Sequence, residues 1–534
     1  MTFIAHTKLS WLGAAILPTY FLLTLLIGWL AKRHKGSSND FLNASRSLPL
    51  WIVCAAYLAA NCGALEIVGL SAMSAQYGVQ AFHFYWIGAI PAMVFLSLWM
   101  MPVYMRSGVH SVPEYLELRY SPAVRLLNAW VLALMMLLLA GISLYAIAQV
   151  LEAMLGWSFV LGISISASVV IAYVLLGGVR ATIYNEVLQL VVMLAGLIPL
   201  ALRSLSVEAL HVASSDNSQS HLWQSTPLFS QQARLDSFGV VFGLGFVLSF
   251  GYWCTDFVLM QRALAARTDV AARQVPLWAG FGKLGFSFLV VLPGLAAHRL
   301  FPQLGHARPF DQALPMMMNQ LFGPTMLGVG LTALVASLMS GLAANVSGFA
   351  SVWTEDIYRA HLHTGQTETH YRTMGRAATI VAIGISVLAS SLSFYFSNLM
   401  EHVQLIFSVF NAPFFAIFLL GMGERRITAR GAFAGFLSGT GIALLHLLAV
   451  ARHWIHYGST MNSNFHAAIY AFCTTLLIGG LVSATDRSQT AIQQQHTGLI
   501  FRWKMWPPVA GDRLLWALSF ILLATCLALN VIWR

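Results

Sequence analysis

The chain has 534 residues, of which 58% are hydrophobic and only 9% are charged. Soluble domains carry about a quarter charged residues, so this composition excludes a soluble protein and indicates one that crosses a membrane several times. The formal net charge of +10 is therefore interpreted through membrane topology and not through nucleic-acid binding. The five cysteines lie in apolar stretches without metal-type spacing, which predicts buried, unpaired thiols.

Windows of about 20 apolar residues, the length that spans a bilayer, predict fourteen membrane helices. The first is too long for a cleavable signal peptide and is followed by Lys32, Arg33 and Lys35. The predicted spans are 11–31, 50–72, 82–105, 125–155, 158–177, 184–205, 238–259, 277–298, 322–357, 376–396, 399–420, 430–451, 465–485 and 513–532.

Basic residues are distributed unevenly among the loops. Of the 29, 21 lie in alternate loops that start with the loop after the first helix, and 7 lie in the opposite loops and the two tails. Cytoplasmic loops are enriched in Lys and Arg. Both chain ends are therefore predicted to be extracytoplasmic, in a bacterial inner membrane. The remaining basic residue, Lys283, falls inside a predicted helix.

Two blocks of five helices are separated by a polar loop rich in Ser and Gln. Small and polar residues interrupt the first apolar segment of each block, at Ala59–Gly63 and at Ser249–Thr255. Paired interruptions at corresponding positions are typical of inverted-repeat transporters with a site near the membrane midplane. The predicted organisation is an extra helix and cytoplasmic loop at 1–49, repeats at 50–205 and 238–420, an extracytoplasmic loop at 206–237, and additional helices at 421–534.

The first interruption lies within Tyr57–Ser71, which also carries Asn61 and Glu66. A helix with packing glycines would explain each of these residues alone. A broken helix that forms half of a binding site explains them together, because irregular backbone and a carboxylate survive at membrane depth only beside a protein-lined or watery cavity. We therefore expect a broken helix here.

A capping box follows the third predicted helix. Ser111 fits the N-cap position of a short cytoplasmic helix, Pro113 its first turn and Glu114 the N3 position. The surrounding pattern, Arg-x-Gly-x-x-Ser-x-Pro-Glu-Tyr from Arg106 followed by Arg-Tyr at Tyr120, resembles the sodium:solute symporter family, which includes the sodium/glucose cotransporters.

Further segments resemble the same family in the same order, over nearly the whole chain. They are Gly177–Gln189 at the fifth core helix, Tyr252–Ala266 at the sixth, Lys283 with Val290–Gly294 at the seventh, Ser340–Asn345 with Trp353–Tyr358 at the eighth, and Gln404, Pro413 and Gly431–Gly435 from the tenth onward.

The resemblance implies an all-α, LeuT-like fold of two inverted five-helix repeats and sodium-coupled import of a small polar solute by alternating access. It implies neither an enzyme nor a cofactor, with Na⁺ as the co-transported ion. The expected partners are the solute, the sodium ion and the lipid bilayer, without nucleic acid, and the oligomeric state stays open. A solute sensor is disfavoured because the cytoplasmic loops are short.

One sodium site is implied between the first and eighth core helices. Its ligands would be the carbonyls of Ala59, Cys62 and Ser337, the hydroxyl of Ser340 and position 341, which here is Gly341 and supplies no hydroxyl. Sodium with water completing the shell, weaker coupling and proton coupling all stay open. Without the resemblance, this serine face would be interpreted as close helix packing.

A second sodium site is not expected. Relatives that bind a second ion use serines at the positions of Ala343 and Ala344, together with an acid at the position of Glu186. We therefore predict a single sodium ion. For Glu186 an ion-release role and an ion pair with Arg180 are both open.

The solute site is implied by side chains from several core helices, with Tyr252 as the inner gate. The implied solute-binding residues are Asn61, Glu66, Tyr85, Ser249, Lys283 and Gln404. Glu66, Tyr85 and Ser249 replace a glutamine, a glutamate and an asparagine of sugar-transporting relatives. A sugar is favoured, and an organic acid or amino acid is the alternative, because Lys283 could pair either with Glu66 or with a solute carboxylate.

Overall fold

The computed structural model describes residues 9–32, 48–63, 65–109, 111–206, 221–223, 233–486, 499–500 and 512–533. Within these ranges the regular structure is helical, as the sequence predicted. The helices are α1 Trp11–Lys32, α2 Leu50–Asn61, α3 Leu65–Phe82, α4 Phe84–Ser107, α5 Val112–Arg119, α6 Pro122–Leu155, α7 Phe159–Leu205, α8 Gly239–Thr255, α9 Phe257–Leu264, α10 Asp269–Leu300, α11 Ala313–Leu321, α12 Pro324–Leu362, α13 Glu368–Tyr395, α14 Leu399–Gly423, α15 Ala429–Ala451, α16 Thr460–Thr485 and α17 Asp512–Ile532.

Eleven of the described helices are long and apolar enough to cross a bilayer, and the bent pairs α2–α3 and α8–α9 raise the number to thirteen. These correspond to thirteen of the fourteen predicted spans. The remaining one, 158–177, is the first part of α7, a continuous helix of 47 residues. At 1.5 Å per residue α7 is about 70 Å long, more than twice the thickness of a bilayer's hydrocarbon core. Two crossings would need a turn within α7, and the continuous helix shows none, so 158–177 and 184–205 are not confirmed as two separate spans.

The chain forms two compact units, each made of three chain segments. Unit 1 comprises Met1–Ala81, Ala133–His221 and Gly285–His402. Unit 2 comprises Phe82–Leu132, Leu222–Leu284 and Val403–Arg534. The predicted repeats, 50–205 and 238–420, are continuous stretches of the chain, whereas each unit combines three separate segments. The repeat boundaries therefore stay a prediction.

In unit 1, helix α12 packs against α1, α2 and α7 and is largely buried. Small residues allow this packing: a Cβ added at Gly196 of α7 would overlap Ala333 of α12, and one at Gly328 of α12 would overlap the backbone of Gly13 in α1. Such close backbone approach is how membrane helices associate without a hydrophobic driving force between them. Helix α12 is thus the scaffold of this unit.

In unit 2, helices α15 and α16 pack along a glycine face. A Cβ at Gly435 would lie 2.8 Å from the Thr475 carbonyl and 3.1 Å from the Gly479 Cα. Helix α16 also packs against α14 and against Gly239–Ser249, a π-helical stretch that opens α8. Because π turns are often found at functional sites, the π-helical starts of α4 and α8 are of particular interest.

The predicted cap of the short helix α5 is confirmed. Ser111 is its N-cap, and the Ser111 hydroxyl accepts a hydrogen bond of 3.2 Å from the backbone N–H of Glu114. Arg119 near the end of α5 donates to the carbonyls of Gly421 and Glu424 within unit 2. The motif that carried the family resemblance therefore anchors the end of α14.

Candidate ion site and solute-binding side chains

The predicted break in the second span lies where α2 ends. Helix α2 stops at Asn61, the chain resumes as helix α3 at Leu65, and the two pieces are bent by 55°. At the break the N–H of Gly63 donates to the Asn61 carbonyl at 2.8 Å. In a continuous helix that N–H would bond to the carbonyl of Ala59. The break therefore frees the Ala59 carbonyl for another partner.

Helix α12 supplies that partner. The Ser340 hydroxyl donates to the Ala59 carbonyl at 3.1 Å, and the Ser337 hydroxyl donates to the Cys62 carbonyl at 2.6 Å. Both serines are fully buried. Residues three apart lie on the same face of a helix, so this pair presents two oxygens to the broken segment.

Two glycines bring the backbones together at this point. A Cβ added to Gly63 would lie 3.1 Å from the Gly341 Cα and 3.8 Å from the Ser337 carbonyl oxygen. The five residues predicted for the sodium site, Ala59, Cys62, Ser337, Ser340 and Gly341, thus lie together within unit 1. Carbonyl and hydroxyl oxygens are the ligands that a hard cation prefers, so this cluster has suitable donors for sodium.

The two serine positions of the second family ion site are alanines here and carry no side-chain oxygen. Ala343 and Ala344 are buried on α12. Glu186 is fully buried on α7, in the same stretch as Asn185, which donates to the Thr24 carbonyl, and Gln189, which donates to the Tyr20 hydroxyl. The Arg180 side chain lies outside the described part, so its pairing with Glu186 stays a prediction.

A buried lysine in unit 2 faces two aromatic rings. Lys283 on α10 is fully buried, with its ammonium nitrogen 5.4 Å from the ring centroid of Trp253 and 6.0 Å from that of Tyr85. These distances are those of cation–π contacts. Tyr85 was a predicted solute-binding residue. Trp253 was not, and its position directly after the predicted gate Tyr252 was the only available signal.

The other predicted residues of unit 2 are also buried or half-buried. Ser249 ends the π-helical stretch of α8, and a Cβ at Gly88 of α4 would overlap its hydroxyl. Tyr252 stacks on Phe407 with ring centroids 5.2 Å apart. Gln404 is buried on α14. Unit 2 therefore brings Tyr85, Lys283 and Trp253 into one cluster and Ser249 against the helix that carries Tyr85.

Asn61 and Glu66, the remaining two predicted solute-binding residues, lie in unit 1 on either side of the helix break. Both are buried. Their grouping with the unit 2 residues stays a prediction from the resemblance.

A broken membrane helix whose freed carbonyls face serine hydroxyls is typical of an ion-coupled secondary transporter. The family model of the sodium:solute symporter family matches residues 41–439. The chain belongs to that family. It is a multi-pass membrane protein and a sodium-coupled solute symporter, with Na⁺ as the co-transported ion, and not an enzyme.

Curated relatives include two sodium/glucose cotransporters. The Vibrio parahaemolyticus sodium/glucose cotransporter is 26% identical over 467 residues, which cover 82% of this chain and 85% of that protein. Human sodium/glucose cotransporter 4 is 26% identical, with 92% of this chain and 78% of that protein covered.

Among solved structures, the substrate-bound, outward-open state of a Na⁺-coupled sialic acid symporter superposes with a TM-score of 0.75 at 17% identity, covering 89% of this chain and 98% of that chain. This similarity confirms the expected LeuT-like fold.

Proposed function

We propose that this protein imports a sugar or a closely related polyol together with one sodium ion. The observation that carries the proposal is the pair of contacts from Ser337 and Ser340 to the carbonyls of Cys62 and Ala59, because it places hydroxyl and carbonyl oxygens at a helix break. The alanines at positions 343 and 344 support one ion rather than two. A sugar as the solute is supported by the relatives, which are named sodium/glucose cotransporters.

The solute-binding role belongs, in this proposal, to Tyr85, Ser249, Lys283 and Gln404 of unit 2. Hydroxyl, amide and ammonium groups beside aromatic rings suit a ligand with many hydroxyls and an apolar ring face. The rings of Tyr85 and Trp253 hold the Lys283 ammonium, which would then donate to a solute hydroxyl. Tyr252, braced by Phe407, would close the inner side of the site.

Coupling follows from thermodynamic linkage. Sodium held by oxygens from both sides of the contact would hold α2 and α12 together and so favour the outward-open state. If sodium raises solute affinity in this way, solute must raise sodium affinity by the same factor. The membrane potential contributes about 2.3 kcal/mol per charge per 100 mV to the inward movement of the ion.

We place the protein in a bacterial inner membrane with both chain ends extracytoplasmic. The distribution of Lys and Arg among the loops supports this orientation. The lipid bilayer is then the medium in which the two units function.

The proposal is tested by uptake into proteoliposomes of labelled sugars, carboxylates and amino acids, with and without an inward sodium gradient. We expect one sugar to enter only with the gradient. Uptake of a carboxylate or an amino acid instead would overturn the sugar assignment and make Lys283 a carboxylate-binding residue. Uptake that follows a proton gradient and ignores sodium would support the second candidate, proton coupling, which is favoured by the missing hydroxyl at Gly341.

A further inference from the structure

Unit 2 contains a groove whose lining includes none of the residues proposed to bind the ion or the solute. Its volume is about 640 Å³, and it lies between the start of α4 and the second half of α17. Trp86, Ile87 and Pro91 line one side, and Leu523, Leu527 and Asn530 line the other. Leu527 is 67% exposed on the surface that would face lipid.

One buried polar atom in this groove has no hydrogen-bond partner in the part of the chain that the structure describes. Asn530 is 8% exposed. Its side-chain amide nitrogen donates a hydrogen bond of 2.9 Å to the Cys526 carbonyl on the same helix. This bond fixes the orientation of the carboxamide. The Asn530 Oδ1 atom has no hydrogen-bond partner among the described residues. A buried acceptor is almost always satisfied, so Oδ1 calls for a donor from a bound molecule.

The polarity of the groove changes along its length. Asn530 and Trp86 lie at one end of the groove. There the Trp533 carbonyl accepts a hydrogen bond from the Leu222 N–H, and the ring centroids of Trp533 and Trp86 are 6.1 Å apart. Leu523 lies seven residues before Asn530, about 10 Å deeper along α17, and Pro91 lies five residues beyond Trp86 along α4. The groove is thus polar at the helix ends and apolar within the membrane.

We propose that this groove binds a diacyl glycerophospholipid whose headgroup carries an N–H donor, as phosphatidylethanolamine does. An acyl chain would cover the apolar wall, and the ammonium group would donate to Asn530 Oδ1. A lipid fits better than a free solute, because the apolar wall continues into the membrane-facing surface at Leu527.

Native mass spectrometry of the detergent-purified, full-length protein tests the proposal. Phosphatidylethanolamine and phosphatidylcholine with identical acyl chains are added at equal concentration, since the choline headgroup has no hydrogen-bond donor. We expect the complex with one bound phosphatidylethanolamine to be about tenfold more abundant than the complex with one bound phosphatidylcholine. Tenfold is the difference in affinity that one good hydrogen bond provides. Asn530→Leu should abolish the preference. Thr525→Val should keep it, because the Thr525 hydroxyl donates to the Ile521 carbonyl within α17.

Equal binding of the two lipids to the unmodified protein would overturn the proposal, as would an unchanged preference in Asn530→Leu. If Asn530→Leu does not yield folded protein, Leu527→Trp replaces it, because an indole at this exposed position fills the groove and leaves Asn530 intact. Retention of phosphatidylethanolamine by Leu527→Trp at the level of the unmodified protein would then place the lipid elsewhere and contradict the proposal.

Discussion

The hydroxyl of Ser337 donates a hydrogen bond of 2.6 Å to the carbonyl oxygen of Cys62, a residue 275 positions earlier in the chain. The contact joins α12 to the C-cap residue that directly follows the end of α2. A carbonyl at the end of a helix has no partner within that helix and must find one elsewhere. The same contact therefore satisfies the broken helix and places the oxygens from which we propose that a sodium site is built.

Removing the hydroxyl of Ser340 is predicted to weaken sodium coupling. Ser340→Ala deletes one proposed ligand, and we expect the sodium concentration for half-maximal uptake to rise about tenfold or more, since bonds to charged groups contribute about 1.5–3 kcal/mol. The measurement is solute uptake against sodium concentration. Ser347→Ala is the matched control, because its hydroxyl bonds within α12, to the Ala344 carbonyl. Equal effects of the two variants would show that the loss is general to α12.

A methyl group at Gly63 is predicted to disrupt the same cluster. Its Cβ would lie 3.1 Å from the Gly341 Cα and 3.4 Å from the Gly341 nitrogen, and backbone atoms cannot rotate away. We expect Gly63→Ala to reduce sodium-dependent uptake at least as strongly as Ser340→Ala. In the control Gly384→Ala the added Cβ meets nothing within 4 Å. Normal sodium dependence of Gly63→Ala would contradict the close approach.

The aromatic rings around Lys283 are predicted to matter for solute affinity. Cation–π contacts contribute about 0.5–2 kcal/mol, so Trp253→Leu should raise the solute KM several-fold, up to about 30-fold. Tyr85→Phe keeps the ring and Tyr85→Leu removes it, so the leucine variant should be the more impaired in KM. Equal KM values for the two Tyr85 variants would show that the hydroxyl, and not the ring, carries the role of Tyr85.

Asp311, between α10 and α11, is predicted to make stability depend on pH. Burial raises the pKa of Asp311 to about 7; the hydrogen bond from the Leu399 N–H opposes this rise, and the nearby Glu401 carboxylate adds to it. The Asp311 carboxyl keeps its proton to a higher pH in the folded protein than in the unfolded chain. The free energy of unfolding therefore falls as the pH rises toward 7, because the unfolded chain already releases the proton at lower pH.

Asp311→Asn should therefore raise the thermal midpoint above that of the unmodified protein at pH 8 and leave it nearly unchanged at pH 4. An asparagine oxygen can still accept from Leu399, so the hydrogen bond is kept. Thermal unfolding in detergent at both pH values measures this, with the exposed Asp269→Asn as control. A lower midpoint of Asp311→Asn at pH 8 would show that the Asp311 carboxylate is stabilised in the folded protein.

The sequence was informative wherever residues close together in the chain determine the local structure. The interruption at Ala59–Gly63 predicted the end of α2, and Ser111 predicted the cap of α5. The interruption at Ser249–Thr255 predicted the second broken span, and the structure bends by 49° directly after Thr255. There the Asp256 carboxylate caps α9 by accepting a hydrogen bond of 2.9 Å from the Leu259 N–H. This capping role was not predicted from the sequence.

Contacts between distant segments could not be predicted from single residues. Trp253 is a buried apolar residue, and its place after Tyr252 in the chain does not predict that its ring faces the Lys283 ammonium. The same holds for Asp236, which accepts a 2.7 Å hydrogen bond from His466 although 230 residues separate the two. The continuity of α7 was also unexpected, because two apolar windows predict two helices but do not show whether the residues between them are helical too.

The most direct test of sodium coupling is sodium movement driven by the solute. Proteoliposomes containing the protein are given an inward gradient of the transported sugar at equal sodium on both sides, and entry of ²²Na⁺ is measured with the membrane potential clamped. We predict that ²²Na⁺ enters with the sugar in a one-to-one ratio and that Ser340→Ala lowers the ratio or abolishes the flux. Sugar entry without ²²Na⁺ entry would contradict the sodium site at Ala59, Cys62, Ser337 and Ser340.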